Sequence, residues 1–359
     1  MRTIKVELAE RSYEIRVGAG LLSRVGPWIN GLGFSGKAVV ITDTTVKKLY
    51  AASLLAGLER AGFTPTVLEV PPGEAYKSLE TAGRLYGEMT AARAERLTPV
   101  IALGGGVIGD LTGFVAATYL RGVPLVQVPT TLLAQVDSSI GGKTAIDHGR
   151  LKNIVGAFYQ PVQVVADIDT LKTLSEAEVA NGLAEVIKSA AVGDRDLFDY
   201  LYLNIEQAKE LRPAALENVV VASAGIKADI VAADERDEGP REVLNYGHTV
   251  GHAVEAASGF SLKHGQAVSI GMVAAARISQ RMGLLKESEV ARLVAVLRKA
   301  GLPVAVPSLA SADIFEAMSR DKKVRRDRVR FVLLRSIGDA FISDDVDMAL
   351  VEEVVSEQG

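Results

Sequence analysis

The chain has 359 residues with 44 acidic against 40 basic side chains, a formal net charge of −4, so no overall field draws it to nucleic acid or to an anionic membrane. It contains no cysteine, which excludes disulfides, thiolate metal sites and cysteine nucleophiles together and suits a reducing cytosol. With 48% hydrophobic residues the length suffices for a full core and for two domains.

In chain order, residues 3–8 and 13–18 alternate charged and apolar positions and predict a hairpin. This N-terminus lacks the apolar core of a secretion signal, so the expected location is cytoplasmic. KAVVIT then predicts a strand, residues 44–60 a helix and PTVLEV a strand. Residues 78–93 predict a helix, PVIAL a strand, 107–120 a helix, and VPLVQV and VQVVADI two more strands. Such alternation predicts a parallel sheet with helices on both faces. The most apolar region, 99–136, is interrupted by GGG, Asp110, Arg121 and prolines, which fits buried strands and helices and not a membrane span.

From about Leu174 the pattern turns helical over 176–192, 213–233, 242–258, 265–283 and 287–300, with apolar residues recurring at three and four. RVRFVLL and DAFIS predict a late strand pair before a short terminal helix, and the charge run at 321–328 reads as a solvated loop. The expected fold class is α/β. A nucleotide-binding, Rossmann-like parallel-sheet domain would span 1–174, and a mainly α-helical, metal-binding domain 175–359.

GGGVIGD, at 104–110, follows a strand, opens a helix and satisfies GxGxxG literally. Glycines there let backbone amides approach a pyrophosphate while the helix N-terminus favours its charge. The motif departs from the usual dinucleotide fingerprint, because it follows a later strand than the first and has no acidic residue about twenty positions on. Two further loops, 128–133 and 137–153, would end strands on the same sheet edge. The second carries Lys143 beside a glycine pair, then Lys152 and Asn153, a density of donors suited to phosphate; His148 reads as a surface residue.

Three of the four histidines, His248, His252 and His264, stand close together in sequence. On a helix, His248 and His252 face one way and could grip one metal ion, with Glu185 of the apolar NGLAEVIKSA as an oxygen ligand. The alternative reading is that the pair are hydrogen-bonded polar residues packed on a helix neighbour. Lys188, Lys227, Arg241 and Asn245 add cations and a donor within apolar segments.

Taken with GGGVIGDLTGFVAATYLRG, VPTTLLAQVDSSIGGKTAID, LKNIVGAFYQP, NGLAEVIKSA, NYGHTVGHAVE, HG at 264 and DKK at 321, the chain resembles the 3-dehydroquinate synthases over nearly its whole length. The resemblance implies an NAD-binding α/β domain, an α-helical metal-binding domain and an active site between them. The implied reaction takes 3-deoxy-arabino-heptulosonate 7-phosphate to 3-dehydroquinate and phosphate by oxidation, phosphate elimination, reduction, ring opening and aldol closure, with NAD recycled and a divalent ion, zinc or cobalt, stabilising developing charge.

It implies Glu185, His248 and His264 as metal ligands, which parts His248 from His252. NAD contacts are implied at Asp43, Glu74, Lys77, Gly105, Gly106, Val107, Asp110, Thr130, Thr131, Leu133, Thr173 and Glu178, with Asp137, Lys143 and Lys152 also on the cofactor side. The implied substrate residues are Lys143, Lys152, Asn153, Lys188, Lys227, Arg241, Asn245, His252 and Lys322, with Arg121 reaching across from a second subunit of a homodimer. The chain departs from the family pattern in placing Asp237 and Glu238 where one glutamate is usual, and in Gln266 of HGQAV, where the usual residue is acidic.

Two other enzyme readings share this architecture: a cyclase acting on a different sugar phosphate, and a metal-dependent, NAD-linked polyol dehydrogenase. A neutral polyol has no use for Lys143, Lys152, Lys188, Lys227 and Arg241. A non-catalytic nucleotide-binding protein would have no use for the metal set.

Overall fold

The computed structural model describes residues 1–149, 151–307, 309–324 and 329–358, and of 319–324 the backbone only. Contacts divide the chain into two compact units, Met1–Leu174 with Leu216–Arg236, and Ser175–Ala215 with Asp237–Gly359. The first break falls where the sequence pattern turns helical. The return of 216–236 to the first unit is not visible in hydropathy, because it begins inside one continuous helix, Pro213–Ala233.

In the first unit, β1 (Arg2–Val6) and β2 (Tyr13–Gly18) form the expected hairpin, and β3 (Lys37–Asp43), β4 (Thr64–Val70), β5 (Val100–Gly104), β6 (Leu125–Pro129) and β9 (Gln163–Asp167) are the expected strands. Among the described residues they make one seven-stranded sheet in the order β1-β2-β9-β6-β5-β3-β4, parallel except at the β1–β2 edge. Alternation along β3 explains its two cores. Val39 and Ile41 pack with the helices Leu79–Ala91 and Gly106–Thr118, while Ala38 and Val40 pack with Val25, Ile29, Leu54 and Leu58 on the opposite face. The hairpin is fastened to the last parallel strand by Asp167, whose carboxylate accepts the N–H groups of Gly20, Leu21 and Leu22 at 3.0, 2.6 and 3.0 Å.

Most of the loop expected over 137–153 is instead part of an antiparallel pair, β7 (Lys143–His148) and β8 (Leu151–Phe158). All of β8 is exposed except Ala157, so it lacks the half-buried alternation by which a strand is read.

The second unit is helical, with a small sheet of β10 (Phe331–Ser336) and β11 (Asp339–Ser343). Two helices absent from the expectations, Arg195–Lys209 and Ser311–Val324, join those at Glu176–Gly193, His264–Arg281 and Glu287–Lys299. The helix expected over 242–258 is broken. A 3-10 segment, Pro240–Asn245, is followed by Gly247 at φ +79, and the α-helix starts only at His248. Gly247 turns at that point because a Cβ there would lie 2.8 Å from the carbonyl of Val268. The described residues contain no helix long and apolar enough to cross a membrane.

Candidate active site

In the first unit the implied cofactor residues gather after the carboxyl ends of parallel strands, where open α/β sheets bind ligands. Chain order reverses between β3 and β5, which makes their ends the switch-point crevice. Asp43 closes β3, and its carboxylate accepts the N–H groups of Thr45 and Val46 at 2.8 and 2.9 Å. Gly105 caps the helix that carries Gly106, Val107 and Asp110 in its first turns.

None of Gly104, Gly105 and Gly106 has a positive φ; close packing is what requires them. A Cβ would stand 2.6 Å from Ile108 Cβ at Gly104, 3.0 Å from Thr131 Cγ2 at Gly105 and 3.1 Å from Ser138 Oγ at Gly106. No side chain caps this helix start, so its amides and dipole are offered to an anion. Thr130, Thr131 and Leu133 follow β6, with Thr130 N–H donating to Gly104 O at 2.9 Å. Thr173 ends a 3-10 segment, Ile168–Thr173, and shares a hydrogen bond with the Tyr50 hydroxyl.

Lys77 is the centre of this unit's charge network. It is 4% exposed, with Nζ 3.0 Å from Glu74, 3.2 Å from Asp110 and 3.8 Å from Asp147, and it donates to Asn153 Oδ1. Burial opposes the ammonium, but Asp110, Glu74 and Asp147 together raise its pKa above the ordinary value. Burial pushes the Asp110 carboxyl up to about 6 despite Lys77. Lys227 donates from Nζ to both the carbonyl and the carboxylate of Asp137 at 2.6 Å. Lys143 opens β7, Lys152 and Asn153 lie at the start of β8, and Arg121 stands beyond the Gly106–Thr118 helix with φ +67.

In the second unit, Glu178, Glu185 and Lys188 ride on the helix Glu176–Gly193, Arg241 and Asn245 on the 3-10 segment, and His248 and His252 on the next helix. His264 begins the helix His264–Arg281. Lys322 has its side chain outside the described residues. Glu178 pairs with Lys263.

The donor atoms of Glu185, His248 and His264 lie within 4.8 Å of one another. His264 Nε2 is 3.2 Å and His248 Nε2 4.0 Å from Glu185 Oε1, while Lys188 pairs with Oε2. The His252 ring centroid is 5.0 Å from that of His248 and 6.1 Å from that of His264. So the described donor cluster takes the distant His264, and the helix-face pair His248 and His252 is not its clip.

Burial opposes charge on Glu185, yet Lys188, His264 and His248 outweigh it and hold the carboxyl well below the usual range. Burial and Lys188 keep the His248 imidazole neutral, with its pKa well below the ordinary value, as a metal ligand requires. His248 Nδ1 is 3.2 Å from the carbonyl of Tyr246, an arrangement that puts the proton on Nδ1 and the lone pair on Nε2.

A scan along the chain matches the N-terminal 3-dehydroquinate synthase model over residues 67–181 and the C-terminal model over 182–324. The chain belongs to the 3-dehydroquinate synthase family. A 3-dehydroquinate synthase of Dehalococcoides mccartyi is 47% identical over 357 residues, 99% of each chain, and one of Desulforamulus reducens 46% identical over 99% of this chain and all of the relative. Two solved structures have the same fold. A 2-epi-5-epi-valiolone synthase of Streptomyces hygroscopicus, with NAD+ and Zn2+ bound, is 30% identical at TM-score 0.89 over 98% of both chains. A 2-deoxy-scyllo-inosose synthase complexed with carbaglucose-6-phosphate, NAD+ and Co2+ is 28% identical at TM-score 0.90 over both full chains. Glycerol dehydrogenase of Schizosaccharomyces pombe, 18% identical at TM-score 0.68 over 96% of this chain and 88% of its own, shares the fold alone.

Within this synthase family fold, several residues around the site escape the sequence reading. Asn181 Oδ1 accepts the N–H of Gly265 at 2.6 Å, tying the first turn of the His264 helix to the helix of Glu185. Glu255, 8% exposed, lies 3.7 Å from His264 Nδ1. A signal existed for both: each is a polar side chain in an apolar helix, Asn181 four residues before Glu185 and Glu255 three after His252. Gln266, flagged as a departure, accepts the N–H of Lys263 at 3.0 Å, so it caps the helix that His264 begins.

Proposed function

We propose that the chain converts 3-deoxy-arabino-heptulosonate 7-phosphate to 3-dehydroquinate and phosphate, with NAD and a divalent metal ion, zinc or cobalt, as cofactors. The cluster of Glu185, His248 and His264 carries the reading. Two imidazoles and a carboxylate are the donor set for zinc or cobalt. Bonds of about 2.1 Å in a tetrahedral site need donors about 3.4 Å apart, so donors already within 4.8 Å close on an ion with small side-chain movements. The capless helix start beyond β5 and the crowded glycines suit a dinucleotide pyrophosphate equally. When bound, the ion supplies positive charge to vicinal oxygens and the nicotinamide a reversible hydride acceptor.

The chain's own residues do the rest. Asp43, Glu74, Lys77, Asp110, Thr130, Thr131, Leu133, Thr173 and Glu178 would hold the dinucleotide together with the glycines and Val107, and Asp137, oriented by Lys227, would face its reacting end. Lys143, Lys152 and Asn153 supply donors for the phosphate. Lys188, Arg241, Asn245, His252 and Lys322 would hold the hydroxyls and carboxylate of the sugar acid. His252 would move a proton while His248 keeps its lone pair for the ion. The division of labour we propose is a dinucleotide domain up to residue 174, which also supplies Lys143, Lys152 and Asn153 to the phosphate, and a metal and substrate domain from 175, which lends Glu178 to the dinucleotide; Lys227 belongs with the first, since 216–236 pack with the first unit.

We also propose a cytoplasmic homodimer in which Arg121 of a second copy completes the phosphate pocket. The exposed strand β8, with Leu151, Ile154, Val155 and Phe158 at 40–61% exposure, supports a covering partner there. Phosphate release from the heptulosonate phosphate, with and without NAD and with a chelator, tests the activity. Release that needs both cofactors is expected, and no release with both present would overturn the reading. Net NADH formation during turnover would instead favour a polyol dehydrogenase.

A further inference from the structure

Asp147, on β7, links the β7–β8 hairpin to the buried Lys77 and lies outside the set of residues implied for cofactor, metal or substrate. The β7–β8 ladder runs in register from Lys143↔Phe158 to Ile146↔Val155, then shifts before His148↔Leu151. Asp147 alone on β7 faces the bulge, which is formed by residues 152–154 of β8. Released from the ladder, its N–H donates to the carbonyl of Lys77 at 2.8 Å, and it forms a parallel bridge with Ser78. Its carboxylate then does two things from one oxygen: Oδ1 accepts the N–H of Asn153 at 2.8 Å and lies 3.8 Å from Lys77 Nζ. Lys77 closes the ring by donating to Asn153 Oδ1.

Asn153 itself stands at φ +55, a left-handed conformation that asparagine tolerates better than most residues but that still favours a hydrogen-bonded setting. The one hydrogen bond described for its N–H is the one Asp147 provides. Bulges recur beside active sites because they re-aim a side chain, and this one re-aims Asn153, whose N–H it brings onto the carboxylate of Asp147.

We propose that Asp147 is a positioning residue for substrate: it holds Asn153 in the left-handed conformation that points its amide into the phosphate-binding hairpin. The inference rests on the function proposed above. Asp147 acts through Asn153 and not through Lys77, since Lys77 keeps Glu74 and Asp110 at 3.0 and 3.2 Å without it. The loss is therefore expected in substrate binding, with the dinucleotide unaffected.

The test is steady-state kinetics of phosphate release, with NAD affinity measured separately by titration, on the full chain carrying Asp147→Ala or Asp147→Asn. Asp147→Ala is expected to raise KM for the heptulosonate phosphate about tenfold with kcat and the NAD dissociation constant within about twofold of wild type. Asp147→Asn, whose amide oxygen can still accept the Asn153 N–H, is expected to restore KM to within about threefold of wild type. Thermal unfolding of the alanine variant reports folding independently. An unchanged KM in Asp147→Ala, equal impairment in Asp147→Asn, or a matching loss of NAD affinity would each overturn the proposal. Failure of the function itself shows differently, as absent phosphate release in the wild type.

Discussion

Gly265 and Asn181 are locked together: the glycine N–H meets Asn181 Oδ1 at 2.6 Å, and a Cβ on the glycine would stand 2.5 Å from the Asn181 carbonyl oxygen. The pair sets how the helix that starts with His264 meets the helix that carries Glu185. Gly265→Ala must push the two apart, at about 1–3 kcal/mol of overpacking. Because His264 is the preceding residue, metal affinity is expected to fall about 10- to 100-fold, as for other outer partners of a metal site. Chelator competition and the melting temperature measure the two effects. Undiminished affinity would show that the helix contact does not set the ligand.

His264→Ala and His252→Ala separate two roles within one cluster. Loss of His264 removes a donor of the triad, so metal affinity should fall by more than about 100-fold and turnover with it. Loss of His252 should leave metal content near wild type and cost at least about 100-fold in kcat. Elemental analysis of the purified variants decides, and equal metal loss in both would contradict the assignment.

Lys188 is 2% exposed and pairs with a fully buried Glu185. Lys188→Met leaves that carboxylate without its strongest cationic partner, and the metal-free protein should lose about 3 kcal/mol in urea unfolding. Zinc should recover part of this, because the ion gives the same carboxylate a cation. A variant equally destabilised with and without zinc would argue that Glu185 is no ligand.

Asp110 makes stability pH-dependent with a definite sign. Burial, opposed by Lys77, raises its carboxyl to about 6 from 3.8, so the native state binds this proton more tightly than the unfolded chain. The contribution is complete below about pH 4 and is lost as pH rises through 6. Asp110→Asn removes the titration, and the variant should gain about 2 kcal/mol on wild type between pH 4 and 7 in metal- and NAD-free unfolding. Parallel pH profiles for the two proteins would remove Asp110 from this role.

The parallel sheet was legible because β3, β5, β6 and β9 are buried on both faces and read as continuous apolar runs. The β7–β8 hairpin was not, since exposed Leu151, Ile154 and Val155 give no alternation. The helix Arg195–Lys209 was readable and is missing from the expectations, although Leu197, Leu201, Ile205 and Ala208 recur at three and four. At the metal cluster, spacing alone favours His248 with His252, since helix periodicity sees only neighbours on one element. His264 enters through the family resemblance, and its place near Glu185 depends on packing of separate helices that no local pattern encodes. The left-handed Gly247 that starts the His248 helix hides in a run of residues compatible with helix.

The three amide protons that Asp167 gathers from Gly20, Leu21 and Leu22 come from a segment made long before it, Leu21 preceding it by 146 residues. During synthesis at about 5–20 residues per second, the first hairpin therefore waits roughly ten seconds or more before its parallel neighbour β9 exists. Throughout that interval β2 offers an unpaired edge, and only the completion of β9 retires it. The slow step in assembling this unit on the ribosome is thus the return of the chain to its own beginning, and a nascent chain arrested before residue 163 should be the species that chaperones hold.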